Sequence, residues 1–162
     1  MEMSKLNREQ WIQHSVDYRY WLETLKKMDN NVFFAPIEKG KWSIAAIISH
    51  IQAWDRFTNE ERLPYIEKGA KLDRFPEFET FNEKAEEKAH NGATKEDILD
   101  EAILERSNLT DHIRHKTEQE LDAEFMIGEH VLTIKSYLKD FTWHDDHHRE
   151  QIDKKLAQDN EV

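Results

Sequence analysis

Breakers of regular structure are almost missing from this chain: 4 Gly and 3 Pro stand in 162 positions. Both residues punctuate strands and turns, so a chain this poor in them is built from long elements with few tight reversals. The apolar residues say which kind. Trp11, Ile12, Val16, Tyr20, Trp21 and Leu25 recur mostly at steps of three and four, the period of one helical face, while the alternation that marks strands is missing.

The spacing predicts a long helix over residues 7–28, then a loop where Asp29, Asn30 and Asn31 favour turns and Pro36 and Gly40 follow. Ser43 is placed to accept from a free amide at the start of a second helix. That helix carries Ile44, Ile47, Ile48, Ile51, Trp54 and Phe57 to about Leu63, where Pro64 forces a kink or break. Residues 69–92 read as a long ordered connection anchored by Phe75, Phe78 and Phe81, with a short helix within 79–90. Thr94 and Asp97 form a cap-like start to a third helix bearing Ile98, Leu99, Ala102, Ile103, Leu109 and Ile113. After the charged stretch 116–124, the segment Phe125, Met126, Ile127, Gly128 reads as a loop lying against the other elements. Thr133 caps a last helix with Ile134, Tyr137, Leu138, Phe141, Ile152 and Leu156. Four long amphipathic helices and one extended connection specify an all-α four-helix bundle, one domain over residues 1–162.

Charge and composition remove several functions. With 34 acidic and 23 basic side chains the net charge is −11, which repels phosphate backbones and speaks against nucleic-acid binding. The apolar run Ile44 to Ile48 is far short of the roughly 20 residues that cross a bilayer, so no membrane span is expected. The first residues lack the apolar core of an export signal, which makes a cytoplasmic location the default expectation. There is no cysteine, hence no disulfide, no thiolate zinc finger and no thiol nucleophile. A transition-metal site would have to be made of His, Asp, Glu and water.

The densest chemistry lies in Trp143, His144, Asp145, Asp146, His147, His148, Arg149, Glu150, Gln151 and Ile152. On a helix His144 and His148 stand one turn apart, and they continue the apolar line through Ile134, Tyr137, Leu138, Phe141 and Ile152, while His147 sits to one side. Two such rings can converge on one ion, can be core histidines satisfied by hydrogen bonds, or can belong to a solvated His/Asp cluster. His50 lies between Ile47 and Trp54 on the apolar flank of the second helix, where a polar ring needs a carbonyl or an ion.

The constellation Trp42-Ser43, His50, His144-x-x-x-His148 and Gln151-Ile152 resembles the DinB superfamily of metalloenzymes, over nearly the whole chain. That resemblance implies an up-down-down-up four-helix bundle with a long ordered connection between helices 2 and 3. It also implies a divalent metal held by His50, His144 and His148. Zinc or nickel is the expected ion, and iron and manganese also suit such donors. An open coordination position would lower the pKa of bound water or hold a thiol as thiolate. The implied activity is therefore hydrolysis of a small molecule or transfer of a low-molecular-weight thiol. An alternative of another class is a bundle without catalysis, metal-binding or purely structural, which an apolar helix face could assemble as a homodimer.

Several residues are candidates for supporting roles. Asp55, Asp145, Glu150 and Gln151 are placed to orient the rings, and Tyr137 lies on the face of His144, where a tyrosine at the rim of the core is the ordinary outcome. Trp11, Trp21, Trp42, Trp54 and Trp143 are expected as packing anchors. His112 and His115, three apart beside Arg114 and Lys116, are expected in solvent.

Overall fold

The computed structural model describes residues 7–160; the six residues before them, on which the export-signal reading falls, lie outside the described part. Helix α1 spans Arg8–Leu25, α2 Asn30–Phe34, α3 Ile44–Phe57, α4 Phe78–Ala89, α5 Lys95–Arg114, α6 Glu118–Asp122 and α7 Ile134–Asn160. The long ones begin where capping chemistry allows. Asn7 and Gln10 form a capping box on α1, Ser43 Oγ accepts from the Ala46 amide 3.0 Å away, Thr94 and Asp97 form a box on α5, and Thr133 Oγ1 accepts from Ser136 N.

The four long helices, α1, α3, α5 and α7, form a four-helix bundle whose directions follow from their cross-links. His14 meets Asp146 and Trp21 meets Asp153, so α1 and α7 run the same way. Arg19 meets Ser107 and Lys26 meets Asp100, so α5 runs against α1. The start of α3 packs with Leu22, Leu25 and Leu99, while Asn59, just beyond its end, bonds Glu105; α3 and α5 are parallel. A parallel pair of consecutive helices forces the chain to climb back along the bundle, about 20 Å for a helix of this length. That return is the job of residues 58–94.

The return segment is more structured than the sequence spacing predicts. Helix α3 ends at Phe57 and passes into a π-helical turn, Thr58–Arg62, and a 3-10 turn, Leu63–Tyr65, that contains Pro64. Two further short helices, α2 and α6, occupy stretches expected to be irregular, with Asp29 and Thr117 as their caps. The segment expected as a loop at 125–128 is instead largely strand: β2 (Phe125–Ile127) pairs in parallel with β1 (Lys71–Leu72) and antiparallel with β3 (His130–Leu132), around Gly128 at φ +59°. Strands of two and three residues are too short to display alternation, so periodicity has nothing to detect. Among the described residues no helix is long and apolar enough to cross a membrane.

Two apolar clusters fill the bundle. One joins Tyr18 to Leu25, Ile44 to Ile51 and Ile98 to Ala102. The other joins Trp11, Leu109, Ile113, Leu121, Phe125, Ile134 and Leu138. Near their junction lies a buried ionic layer in which Arg106 grips Asp55 and Asp145.

Candidate metal centre

Three of the long helices' histidines meet at one point. His50 comes from the seventh position of α3 and His144 and His148 from consecutive turns of α7, and one nitrogen from each lies within 4.8 Å of the others. His50 Nε2 is 2.9 Å from His144 Nε2, and His148 Nε2 is 3.2 Å from the same atom. His50 is buried; the other two are half-buried.

The outer nitrogens are fixed by amides. His50 Nδ1 stands 2.8 Å from Asn82 Oδ1. That oxygen also accepts from Trp54 Nε1 at 3.0 Å, and an indole N–H can only donate, so the atom it faces must be the carbonyl oxygen of the amide. The tautomer of His50 follows: Nδ1 carries the proton and Nε2 is left with its lone pair. His148 is held alike, donating Nδ1–H to Gln151 Oε1 at 2.8 Å. The Trp42 ring closes the site edge-on, 5.2 Å from that of His50.

These tautomers leave a deficit at the centre. Two bare Nε2 acceptors face His144 Nε2, whose single proton can satisfy only one of them. Protonating a ring to supply the missing donor is opposed by the surroundings. Burial, followed by the neighbouring His144 and His148, pushes His50 down to about 3, and burial, then His148 and Arg106, pushes His144 down to about 4. Burial lowers His148 as well. Three neutral imidazoles with converging lone pairs fit a divalent transition ion, since ligands about 2.0–2.1 Å from a tetrahedral zinc stand about 3.3 Å from one another.

The other expected residues divide. Of the four candidates, Gln151 is the one that meets a ring, that of His148. Asp55 and Asp145 do not; both are committed to Arg106, through contacts of 2.7–3.0 Å, and Glu150 is exposed. His147 faces outward, its ring parallel to that of Trp143 at 5.3 Å. Sequence periodicity does not single out Asn82, because it falls in α4, where the pattern is weak. Its amide beside the apolar Phe81 is the signal the sequence offers.

Beside the histidines opens a cavity of about 800 Å³ to which His50, His144, Asn82 and Tyr137 contribute. Tyr137 is buried, its hydroxyl 3.0 Å from Thr58 Oγ1, and burial raises its pKa. Four of the tryptophans pack as anchors, wholly or partly. Trp143 does not: it is 67% exposed and stands at the cavity mouth. His112 and His115 are exposed, as expected.

This bundle and its converging histidines define a known class. The sequence model of the DinB superfamily matches residues 13–152, and the chain belongs to that superfamily. Among solved structures, YfiT from Bacillus subtilis superposes with a TM-score of 0.79 at 17% identity, covering 96% of this chain and 89% of that one. YfiT is described as a probable metal-dependent hydrolase with an unusual four-helix bundle topology. At that identity the likeness speaks for the fold. No protein of curated function matches the chain in sequence.

Proposed function

We propose that the chain holds one divalent metal ion through Nε2 of His50, His144 and His148 and acts as a metal-dependent hydrolase of a small molecule. The carrying observation is the surplus of lone pairs at the centre: three convergent neutral nitrogens with one proton for two acceptors. A bound ion would supply Lewis acidity, lowering the pKa of water toward about 7. The description of YfiT as a probable hydrolase supports the reaction class.

The chain's own residues would do the rest. Asn82 and Gln151 hold two rings with their lone pairs inward, which raises their basicity as donors. The cavity leaves the side next to His50 and His144 open for substrate. Zinc suits three imidazoles and an open position best; nickel, iron and manganese compete for the same donors.

Elemental analysis of gently purified protein tests the reading. About one equivalent of metal is expected, lost in His144→Ala and retained in His115→Ala, with both variants folded. Equal metal content in the two variants would remove the site. Turnover is then assayed on metal-loaded protein with ester and amide substrates. A parallel assay with a small thiol and an electrophile covers thiol transfer; product only there would replace hydrolysis with that reaction at the same site.

A further inference from the structure

The wall of the cavity beside the histidines is strongly one-sided in chemistry. Trp54, Phe75, Phe78, Tyr137, Phe141 and Trp143 supply aromatic rings to it, and β2 and β3 supply Ile127, Val131 and Leu132. No lysine or arginine is among the lining residues; beyond the metal-centre rings and Asn82, the polar side chains there are His130 and the carboxylate of Asp140, with the Tyr137 hydroxyl turned to Thr58. The nearby cation Arg62 lies behind the wall, its guanidinium 5.0 Å from the ring centres of both Phe57 and Phe75. Away from the histidine cluster, a phosphate or multiply carboxylated body would meet no lysine or arginine on these walls.

The mouth is apolar too. Phe78 is 58% exposed, Val131 58% and Trp143 67%, and these three of the large exposed apolar side chains gather on one rim. Apolar surface gathered in this way marks a binding surface, whereas single exposed apolar residues need no explanation. The rings are also set in advance. Trp54 is stacked on Phe81 at 4.0 Å and tied through its indole N–H to Asn82, and Trp143 is backed by His147. A volume of about 800 Å³ sits within the range of small-molecule sites, whose walls are mainly apolar with a few convergent polar groups.

We infer that this chamber is the subsite for an aromatic, non-anionic substrate body, bound with its polar head toward His50 and His144. The assignment rests on the metal-centre reading for the head but stands on the chamber's own walls for the body. It selects neutral aromatic esters, amides or related compounds over phosphorylated or sugar-like ones.

Two hydroxamates with the same chelating head separate the parts. On zinc-loaded protein, benzohydroxamate should bind about tenfold or more tightly than acetohydroxamate, the phenyl group supplying the extra apolar burial. In Trp143→Ser and Phe78→Ser, at exposed positions where folding is not at stake, that preference should shrink while acetohydroxamate affinity holds. In metal-free protein, the neutral fluorophore N-phenyl-1-naphthylamine should bind, and its sulfonated analogue more weakly, with both variants losing the neutral probe. Equal affinity for the two hydroxamates would overturn the chamber assignment and leave the metal centre standing. Failure of both hydroxamates while the neutral probe binds and the variants lose it would uphold the chamber and remove the metal centre. A sulfonated probe that binds as well as the neutral one would overturn the exclusion of anions.

Discussion

Two polar clusters are buried in this bundle within a few residues of each other, and they are opposites. On α3, His50 and Asp55 are five residues apart; on α7, His144 and Asp145 are neighbours, turned about 100° from one another by the helix. Asp55 and Asp145 meet Arg106 of α5, whose guanidinium makes four charge-assisted hydrogen bonds of 2.7–3.0 Å and lies 4.1 Å over the Tyr18 ring. Each of the three guanidinium nitrogens there has found a carboxylate oxygen. The histidine cluster has acceptors without enough donors. A polar group inside a protein is satisfied by its neighbours or by something that binds; the ionic layer is the first case, and under the proposed function the three rings are the second.

The contrast is broken most forcefully at Arg106. Arg106→Met leaves two carboxylates buried without a counter-charge, and a loss of about 3–5 kcal/mol at pH 7 is expected. Metal-free His144→Ala should lose less than half as much, because it removes a ring whose nitrogen was poorly matched. Urea unfolding of the two variants side by side makes the measurement; equal losses would mean that the clusters do not differ in kind. The Arg106→Met deficit should also shrink on acidification. Burial already raises Asp55 to about 6 against an ordinary 3.8, with Arg106 opposing. A carboxyl raised in the folded state contributes stability that is complete below its unfolded value and lost as pH rises through the folded one.

The histidines respond to acid in the other direction. Their folded pKa values, about 3 for His50 and about 4 for His144, lie below the unfolded 6.5. Their contribution is therefore present above 6.5 and is lost as pH falls toward 4, since the unfolded chain takes up protons that the folded one refuses. Metal-free protein should lose about 1 kcal/mol per ring on going from pH 7 to 5.5, partly offset by Asp55. The His50→Gln/His144→Gln double variant isolates the effect: its stability should vary less over that window than that of the unaltered protein. Parallel pH profiles would show that the rings are not held neutral by burial.

The sequence exposed these clusters unequally. His144 and His148 are legible because they fall on the apolar stripe through Phe141 and Ile152, and His50 because Ile47 and Trp54 flank it. The directions of the helices follow from the resemblance, but not from periodicity, which carries no orientation. Arg106 looks like an ordinary surface residue of a charged helix between Glu105 and Ser107; only the three-dimensional meeting with Asp55 and Asp145 explains its complete burial. Trp143 shows the reverse. Being adjacent to His144, it falls off the stripe, and the same helical period that placed the histidines inward would have placed it outward. The chamber walls were the least visible part, because α4 and the β2–β3 hairpin are short, and short elements show too little period to read.

The finest distinction between the clusters lies one shell out, at Asn82. Its carbonyl oxygen receives two N–H groups, from His50 Nδ1 and Trp54 Nε1, so it sets the tautomer that leaves His50 Nε2 free. Asn82→Leu should weaken metal binding by about 10–100-fold, the usual cost of losing such an orienting partner. Asn82→Asp keeps an acceptor for both donors and should hold the metal nearly as well as the unaltered protein, an outcome that mere packing of the side chain would not produce. Trp54→Phe removes one of the two donors and should cost less than Asn82→Leu, since His50 can still donate to the amide oxygen. Competitive metal titration against a chelator measures all three. A loss in Asn82→Asp equal to that in Asn82→Leu would mean that the amide fills space rather than steering the ring.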